Sequence, residues 1–167
     1  EDQKYIYYAC GDNVENVSKL PQTERVADKG YEILYLVNEL DEFTVKSIMN
    51  VQGKELRNIS SDDLGFTDDD LKAQADLAQE SSKDMFEFMK NTLGDEVETV
   101  KASERLKNYP VCLSSQGDIS LEMEKVLSSQ PNFNDVKAKR VLEVNVAHDV
   151  FKKLNDLWTA GDKEKLA

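Results

Sequence analysis

Apolar and polar residues along the first third of the chain follow a pattern typical of strands that alternate with helices. Three runs have the apolar and aromatic content of strands, at residues 4–10, 31–36 and 54–59. The third run alternates as an edge strand does. Apolar residues at helical spacing occupy the two intervals, and Asp41 is a candidate N-cap for the second helix. The pattern predicts a small three-stranded α/β subdomain over residues 1–66.

A single long helix is predicted for the middle of the chain. Thr67 can cap it, the acidic residues 68–70 lie at the positive end of the helix dipole, and Gly94 is a natural C-cap. Its apolar residues concentrate towards both ends. At about 25 residues and 1.5 Å per residue the helix would be about 37 Å long. We therefore expect residues 67–94 to form a connecting helix that joins two packed units at its ends while its centre contacts water.

The last part of the chain, residues 95–167, predicts a three-stranded sheet with packed helices. The strand candidates are residues 97–106, 109–115 and 140–145. One short helix is expected between the last two strands, and a closing helix from Ala147 to Trp158. Together with the first subdomain, this pattern predicts a combined α/β and α+β fold class.

The short helix predicted from residue 119 carries the most informative apolar pattern. Its apolar side chains fall within an arc of about 100° when each residue advances 100°. The members of this stripe are Ile119, Met123, Val126 and Leu127. Such a stripe is either buried by its own domain, as most amphipathic helices are, or offered to a partner. Methionine suits a surface that adapts to several shapes, and the pattern alone leaves both interpretations open.

Composition and charge narrow the possible partners. The chain has 21 basic and 33 acidic residues, a net charge of −12 and a pI near 4.6. A phosphate backbone is repelled by such a surface, so nucleic-acid binding is not expected. No run approaches the ~20 consecutive apolar residues of a membrane span, and the first residues lack the features of a signal peptide. These observations predict a soluble, cytoplasmic protein without a membrane partner.

Candidate catalytic and metal-binding chemistry is sparse. The single histidine, His148, is expected to cap the last helix or to lie on its surface, since no nucleophile signature accompanies it. Cys10 and Cys112 lack metal-ligand spacing and are expected to be buried thiols. The seven glycines are scattered, without a phosphate-binding loop. We therefore expect no catalytic residue, no metal site and no cofactor site in this chain.

Eight short strings, in order along the whole chain, resemble one family. QKYIYY, VADKGYEILYL, LDEF and QGK, at residues 3–8, 26–36, 40–43 and 52–54, resemble the end of the middle domain of the heat-shock protein 90 family in its bacterial form. RL, PVCL, MEKVL and LEVN, at residues 105–106, 110–113, 123–127 and 142–145, resemble the start of its C-terminal domain. Each string is weak alone, but their collinear order makes coincidence implausible.

The resemblance implies an ATP-dependent molecular chaperone of which this chain is a piece. It assigns residues 1–66 to the C-terminal subdomain of the middle domain, residues 67–94 to a connecting helix, and residues 95–167 to a C-terminal domain without its final dimerisation helices. ATP and magnesium would be cofactors of the full-length protein, bound by a domain that precedes this chain. The full-length protein would be a homodimer, and the fragment would be monomeric or weakly associating.

The resemblance also changes the interpretation of the apolar stripe. In bacterial members of the family the helix at this place presents apolar side chains to unfolded or partly folded client proteins. By position these are Ile119, Met123, Val126 and Leu127, and Phe43 matches an aromatic position on a facing helix. We refer to these five residues as the candidate surface and expect the four stripe residues to be accessible to water. The alternative is a purely structural connector that transmits conformational change without client contact.

Overall fold

The computed structural model describes residues 3–61, 63–66, 69–133 and 135–167, and all structural statements concern these residues. The strands, in chain order, are β1 (Tyr5–Cys10), β2 (Ile33–Leu36), β3 (Asn50–Val51), β4 (Lys54–Asn58), β5 (Thr99–Ala102), β6 (Val111–Gln116) and β7 (Lys139–Val144). The helices are α1 (Val14–Val17), α2 (Thr23–Asp28), α3 (Asp41–Ile48), α4 (Asp69–Ser81), α5 (Lys83–Leu93), α6 (Leu121–Ser128), α7 (Asp149–Thr159) and α8 (Lys163–Leu166). The mixed α/β class expected from the sequence is confirmed.

The chain divides into two compact units, and neither unit is continuous in sequence. The first comprises Glu1–Phe66 and Ser114–Lys139, and the second comprises Thr67–Leu113 and Arg140–Ala167. Residues 114–139, which include α6, therefore pack with the first third of the chain. The assignment of residues 1–66, 67–94 and 95–167 to three functional segments stays a prediction.

The first unit is built on a four-stranded mixed sheet with the order β2-β1-β4-β3. Strand β1 is parallel to both β2 and β4, and β3 is antiparallel to β4. The expectation of three strands is therefore wrong by one, and β4 is not an edge strand because β3 pairs along its outer side. Sequence reasoning missed β3 because a strand of two residues is too short to show alternation.

A tight hairpin joins β3 to β4. Val51 pairs with Lys54, so the loop contains only Gln52 and Gly53. Both loop residues have positive φ, 52° at Gln52 and 80° at Gly53. Positive φ at both central positions defines a type I′ turn, whose twist matches that of the two strands.

Side chains of β1 alternate between the two faces of the sheet and therefore pack in two different environments. On one face Tyr5, Tyr7 and Ala9 belong to a core that includes Val17 of α1 and Val26 of α2. The Tyr7 hydroxyl donates a hydrogen bond of 2.9 Å to the carbonyl oxygen of a buried loop residue, Leu64. Tyr8 and Cys10 point to the opposite face, on which α3 and α6 lie.

Two helix boundaries in the first unit differ from the expectation. Helix α3 has Leu40 at the N-cap position and begins at Asp41, whose carboxylate accepts a hydrogen bond of 3.1 Å from the Asn38 backbone N–H. The prediction of Asp41 as the N-cap is therefore wrong by one residue. Helix α2, which follows Pro21, was not expected, because the apolar spacing before Pro21 already accounted for a helix in this interval.

The second sheet has the strand order β5-β7-β6, with β5 parallel to β7. The prediction of three strands in the last part of the chain is confirmed. A core of apolar residues from α4, α5, β5 and β7 includes Ala75, Met85, Phe86, Val100 and Val144. Helix α7 adds Phe151, Leu154 and Trp158 at its border.

The prediction of a single long helix over residues 67–94 is wrong, because α4 and α5 are separate helices that meet at Ser82. Ser82 leaves helical geometry, with φ −111° and ψ 15°, and is buried. Leu77, Glu80 and Ser81, at the centre of the predicted helix, are exposed, so the expectation that this centre contacts water holds except at Ser82. Gly94 is the C-cap with φ 58°, as predicted. Thr67 and Asp68, the expected cap and first acid, lie outside the described residues.

Candidate functional site

Helix α6 begins at Leu121, two residues later than the apolar stripe suggested. Ser120 is its N-cap, in an extended conformation, and the Ser120 hydroxyl oxygen accepts a hydrogen bond of 3.0 Å from the Met123 backbone N–H. Ile119 precedes this cap and lies outside the helix. Helical spacing therefore applies only to Met123, Val126 and Leu127, and the assignment of Ile119 to the helical stripe is wrong.

The four stripe residues differ in burial. Met123 is buried, with 8% of its surface exposed. Ile119, Val126 and Leu127 are half-buried, as is Phe43 on α3. The expectation that all four stripe residues are accessible is therefore wrong for Met123 and holds in part for the other three. Met123 lies among residues of α3, and it lines a cavity with Phe43 and a second one with Val45.

A buried carboxylate fixes the start of α6 to the rest of the first unit. Glu42, in the first turn of α3, is 3% exposed. Its Oε2 accepts a hydrogen bond of 2.5 Å from the Ser120 hydroxyl, and its Oε1 accepts one of 2.7 Å from Asn58 Nδ2. Hydrogen bonds to an ionised acceptor are the strong ones, and a buried charge without partners is costly. Glu42 therefore joins α3, β4 and the cap of α6.

Two groups on β1 next to Glu42 stay neutral at neutral pH. Burial raises the pKa of the Cys10 thiol far above its ordinary value, and the charge of Glu42 and a hydrogen bond to it raise this pKa further. Burial also raises the pKa of Tyr8, again with a contribution from the charge of Glu42. Because both neighbours remain protonated, the charge of this cluster is that of Glu42.

A cavity of about 360 Å³ lies between α3 and α6. Phe43, Met123 and Val126 line it together with Cys10. The charged residues that line it, within the described part of the chain, are four acids and one base, namely Asp12, Glu39, Glu42, Glu122 and Lys125. We call it the α3–α6 cavity. It combines an apolar wall with an excess of carboxylates.

A wider cleft of about 740 Å³ lies on the other side of Met123. Ile119 and Met123 line it, together with Val45, Met49 and Leu56. Met49 is the C-cap of α3, is 69% exposed and has a φ of 61°, which is unusual for a residue with a side chain. We call it the wide cleft.

The structure thus brings together most of the candidate surface. Phe43, Met123 and Val126 share the α3–α6 cavity, whereas Ile119 lies in the wide cleft and Leu127 lines neither of the two. Sequence reasoning missed Val45 and Met49 as parts of the same apolar region. Their spacing of four residues is the signal that could have found them, since it places both on one face of α3.

The remaining sequence candidates have structural roles. His148 is the N-cap of α7, and its Nδ1 accepts a hydrogen bond of 3.1 Å from the Val150 backbone N–H, which confirms the predicted capping role. Cys10 and Cys112 are free thiols, half-buried and buried respectively.

Within the described part of the chain, no three His, Cys, Asp or Glu side chains are grouped so that they could hold a metal ion. The helices found among these residues are too short or too polar to cross a membrane.

The second unit contains a buried ion pair, which lies near Cys112. Arg105 Nε lies 3.1 Å from Glu143 Oε2, and the Ser103 hydroxyl donates a hydrogen bond of 2.9 Å to the same oxygen. Burial raises the pKa of Cys112 to about 12, and the charge of Glu143 adds to this effect. These polar groups satisfy one another, which is the structural role usual for buried charges.

Comparison with known proteins defines the class. The whole chain, residues 1–167, matches the family model described as Hsp90 protein, and the chain therefore belongs to the Hsp90 family. This confirms the resemblance carried by the eight strings. The chain is 53% identical over 165 residues to "Chaperone protein HtpG" of Clostridium perfringens (strain 13), and 49% identical over 167 residues to "Chaperone protein HtpG" of Bacillus subtilis (strain 168). These alignments cover 99% and 100% of this chain but 26% of each relative, so the chain spans about a quarter of the length of these curated relatives.

Proposed function

We propose that this chain is the part of an Hsp90-family chaperone that binds unfolded or partly folded client proteins through the candidate surface. The observation that carries the proposal is the shared cavity of Phe43, Met123 and Val126, whose side chains come from segments about 80 residues apart in sequence. Convergence of apolar side chains on one open cavity is typical of a binding site. The half-buried state of Val126 and Phe43 leaves apolar area for a client to cover.

The proposed binding is weak and adaptable. Burial of apolar surface contributes about 25 cal/mol per Å², so a few partly exposed side chains supply only a few kcal/mol. Ordering of the client opposes this gain, which predicts affinity of about micromolar or weaker for a single surface. Two such surfaces in a homodimer would bind one client more tightly through their effective concentration.

The proposal assigns the other activities of the full-length protein to parts outside this chain. ATP, with magnesium, would be bound and hydrolysed in a separate domain, and no residue of this chain is proposed to hold nucleotide, since its scattered glycines form no phosphate-binding loop. The protein would act in the cytoplasm as a homodimer. Residues 67–94 would link the ATPase region to the dimerisation region.

A purely structural connector is the second candidate. The bond between Ser120 and Glu42 and the burial of Met123 favour it, because both make α6 a fixed part of the first unit. In that case α6 would transmit conformational change between the ATPase and dimerisation regions, without direct contact with a client.

Val126→Ser combined with Leu127→Ser distinguishes the two candidates. Both side chains are half-buried on α6, so their replacement removes apolar contact area while the buried Met123 stays in place. The matched control is Leu40→Ser with Ile48→Ser, which removes two exposed apolar side chains from the same unit outside both clefts. Binding to a reduced and alkylated globular protein is measured by fluorescence anisotropy, with the melting temperature recorded for each variant.

Client binding predicts an affinity about tenfold lower for the α6 double variant, which corresponds to about 1.4 kcal/mol, and an unchanged affinity for the control. Equal affinities of the parent chain and the α6 variant would contradict the proposal and favour the connector. The same conclusion would follow if both double variants lost affinity equally, since binding would then depend on apolar residues in general.

A further inference from the structure

We infer that the α3–α6 cavity selects client segments in which a basic side chain stands next to an apolar one. The inference rests on the proposed function and specifies the class of client sequence that this surface takes. It depends on the charges of the cavity lining, which are independent of the apolar stripe that suggested client binding.

The apolar wall of the cavity accepts one client side chain. Phe43, Met123 and Val126 form this wall, and the neutral thiol of Cys10 extends it. An aromatic ring and a flexible thioether fit apolar groups of several shapes. This part of the cavity explains why an apolar client residue binds. It does not explain a preference for particular residues next to that one in the client sequence.

The acidic residues of the cavity supply the preference. Glu42 is buried, and its hydrogen-bond partners Ser120 and Asn58 are neutral donors that satisfy its oxygens without cancelling its charge. Asp12, Glu39 and Glu122 add three carboxylates at more exposed positions. Among the described residues that line the cavity Lys125 is the one base, so this lining keeps an excess of negative charge. A client ammonium or guanidinium is attracted there, and a client carboxylate is repelled.

The position of Lys125 indicates where a client cation would bind. Its Nζ forms an ion pair with Asp12 and lies 3.8 Å from Glu122 Oε2. An ammonium thus already occupies the mouth of the cavity, held by two carboxylates. Because its side chain is 56% exposed, Lys125 can swing aside when a client cation competes for the same oxygens.

The positive charge of Lys125 offsets only part of the effect that burial and the neighbouring acids have on Glu122. Burial raises its pKa above the ordinary value, Lys125 lowers it in part, and the charges of Asp12 and Glu42 raise it further. A carboxylate in such surroundings gains from an additional cation. Glu122 is therefore the residue expected to contribute most to the preference for basic clients.

Three peptides of equal length and equal apolar content test the inference. A central Leu-Phe-Leu segment is flanked by lysines in the first peptide, by serines in the second and by glutamates in the third. Dissociation constants are measured for the parent chain, Glu122→Gln and Lys125→Gln. Glu32→Gln is the matched control, because Glu32 is an exposed acid of the same unit that lines neither cleft. The control loses the same charge from a chain whose net charge is −12.

The lysine-flanked peptide is expected to bind the parent chain about tenfold more tightly than the serine-flanked one, and the glutamate-flanked peptide more weakly than both. Glu122→Gln should reduce the lysine preference about threefold or more, and Glu32→Gln should leave it unchanged. Lys125→Gln should increase the preference, since it removes the competing ammonium.

Two outcomes would overturn the inference while leaving client binding intact. One is equal affinity for the lysine-flanked and serine-flanked peptides. The other is an equal loss of preference in Glu122→Gln and Glu32→Gln, which would assign the effect to the overall charge of the chain. If the serine-flanked peptide fails to bind, or binds equally to the Val126→Ser and Leu127→Ser double variant, the proposed function itself fails.

Discussion

The Ser120 hydroxyl lies 2.5 Å from Oε2 of Glu42, so the residue that caps α6 also binds the buried carboxylate of α3. A hydroxyl has one proton to donate and lone pairs to accept with, and Ser120 uses both. It donates to Glu42 and accepts from the Met123 backbone N–H. The start of α6 and the first turn of α3 are therefore fixed by a single side chain.

Ser120→Ala should lower the free energy of unfolding by about 2–4 kcal/mol. Loss of an N-cap costs about 1 kcal/mol, and loss of a donor to a buried charged group costs about 1–3 kcal/mol more. Urea denaturation followed by circular dichroism measures the change. Ser128→Ala is the control, because Ser128 is an exposed serine of the same helix, and its replacement should change stability by about 0.5 kcal/mol or less.

A double-mutant cycle with Glu42→Gln separates the two roles of Ser120. We expect the effects of Ser120→Ala and Glu42→Gln to be non-additive by about 1 kcal/mol or more, since the two residues share one hydrogen bond. Additive effects would show that Ser120 contributes only as a cap.

Met123→Ala should destabilise the protein by about 2–4 kcal/mol, because a buried side chain leaves a void that its neighbours fill only in part. Leu40→Ala removes a similar apolar side chain that is 64% exposed, and we expect a change of about 0.5 kcal/mol or less. Thermal and urea unfolding of both variants provide the comparison. Equal, small effects would mean that Met123 is as accessible as Leu40.

The β3–β4 hairpin predicts opposite effects at its two loop residues. Gln52→Asn should stabilise the protein by about 0.5 kcal/mol, since asparagine adopts positive φ more readily and Asn-Gly is the preferred pair of type I′ turns. Gly53→Ala should destabilise it by about 1 kcal/mol, purely through the backbone, because an added Cβ has no atom within 4 Å. Urea midpoints measure both, and stabilisation by Gly53→Ala would exclude a type I′ turn.

Cys10 should react slowly with iodoacetamide at pH 8, because its raised pKa keeps the reactive thiolate scarce. Between the ordinary pKa of 9.0 and the higher pKa of the folded chain, each rise in pH increases the thiolate of unfolded chains more than that of folded ones. Unfolding therefore becomes more favourable as pH rises through this range. Alkylation of the Cys10 peptide, followed by mass spectrometry, measures the rate, and the urea-unfolded chain is the reference.

Glu42→Gln should increase the alkylation rate of folded Cys10, since it removes the neighbouring charge that adds to the effect of burial. A rate in the folded parent chain equal to that of the unfolded chain would contradict the raised pKa. An unchanged rate in Glu42→Gln would assign the raised pKa to burial and to the charges of Glu122 and Asp41.

Local pattern was sufficient for the strands of both sheets except the two-residue strand β3, and it misplaced two helix boundaries. Strand β1 and the strands of the second sheet were predicted because their apolar runs and flanking turn residues are continuous in sequence. Ser82 ends α4 where the periodicity continues, and the burial of Met85 and Phe86 beside it depends on a sheet formed later in the chain. Ile119 was assigned to α6 because apolar spacing carries no information on where the cap lies.

The sequence by itself determined the order and type of most elements, the family and the apolar residues of α6, because short-range periodicity and collinear strings encode them. Only the tertiary structure decided which of these residues are accessible and what surrounds them. The bond from Ser120 to Glu42 joins residues 78 positions apart, and the α3–α6 cavity exists because that contact places α6 beside α3. Burial and charge at a site are sums over neighbours that are distant in sequence, so they arise only when the chain has folded.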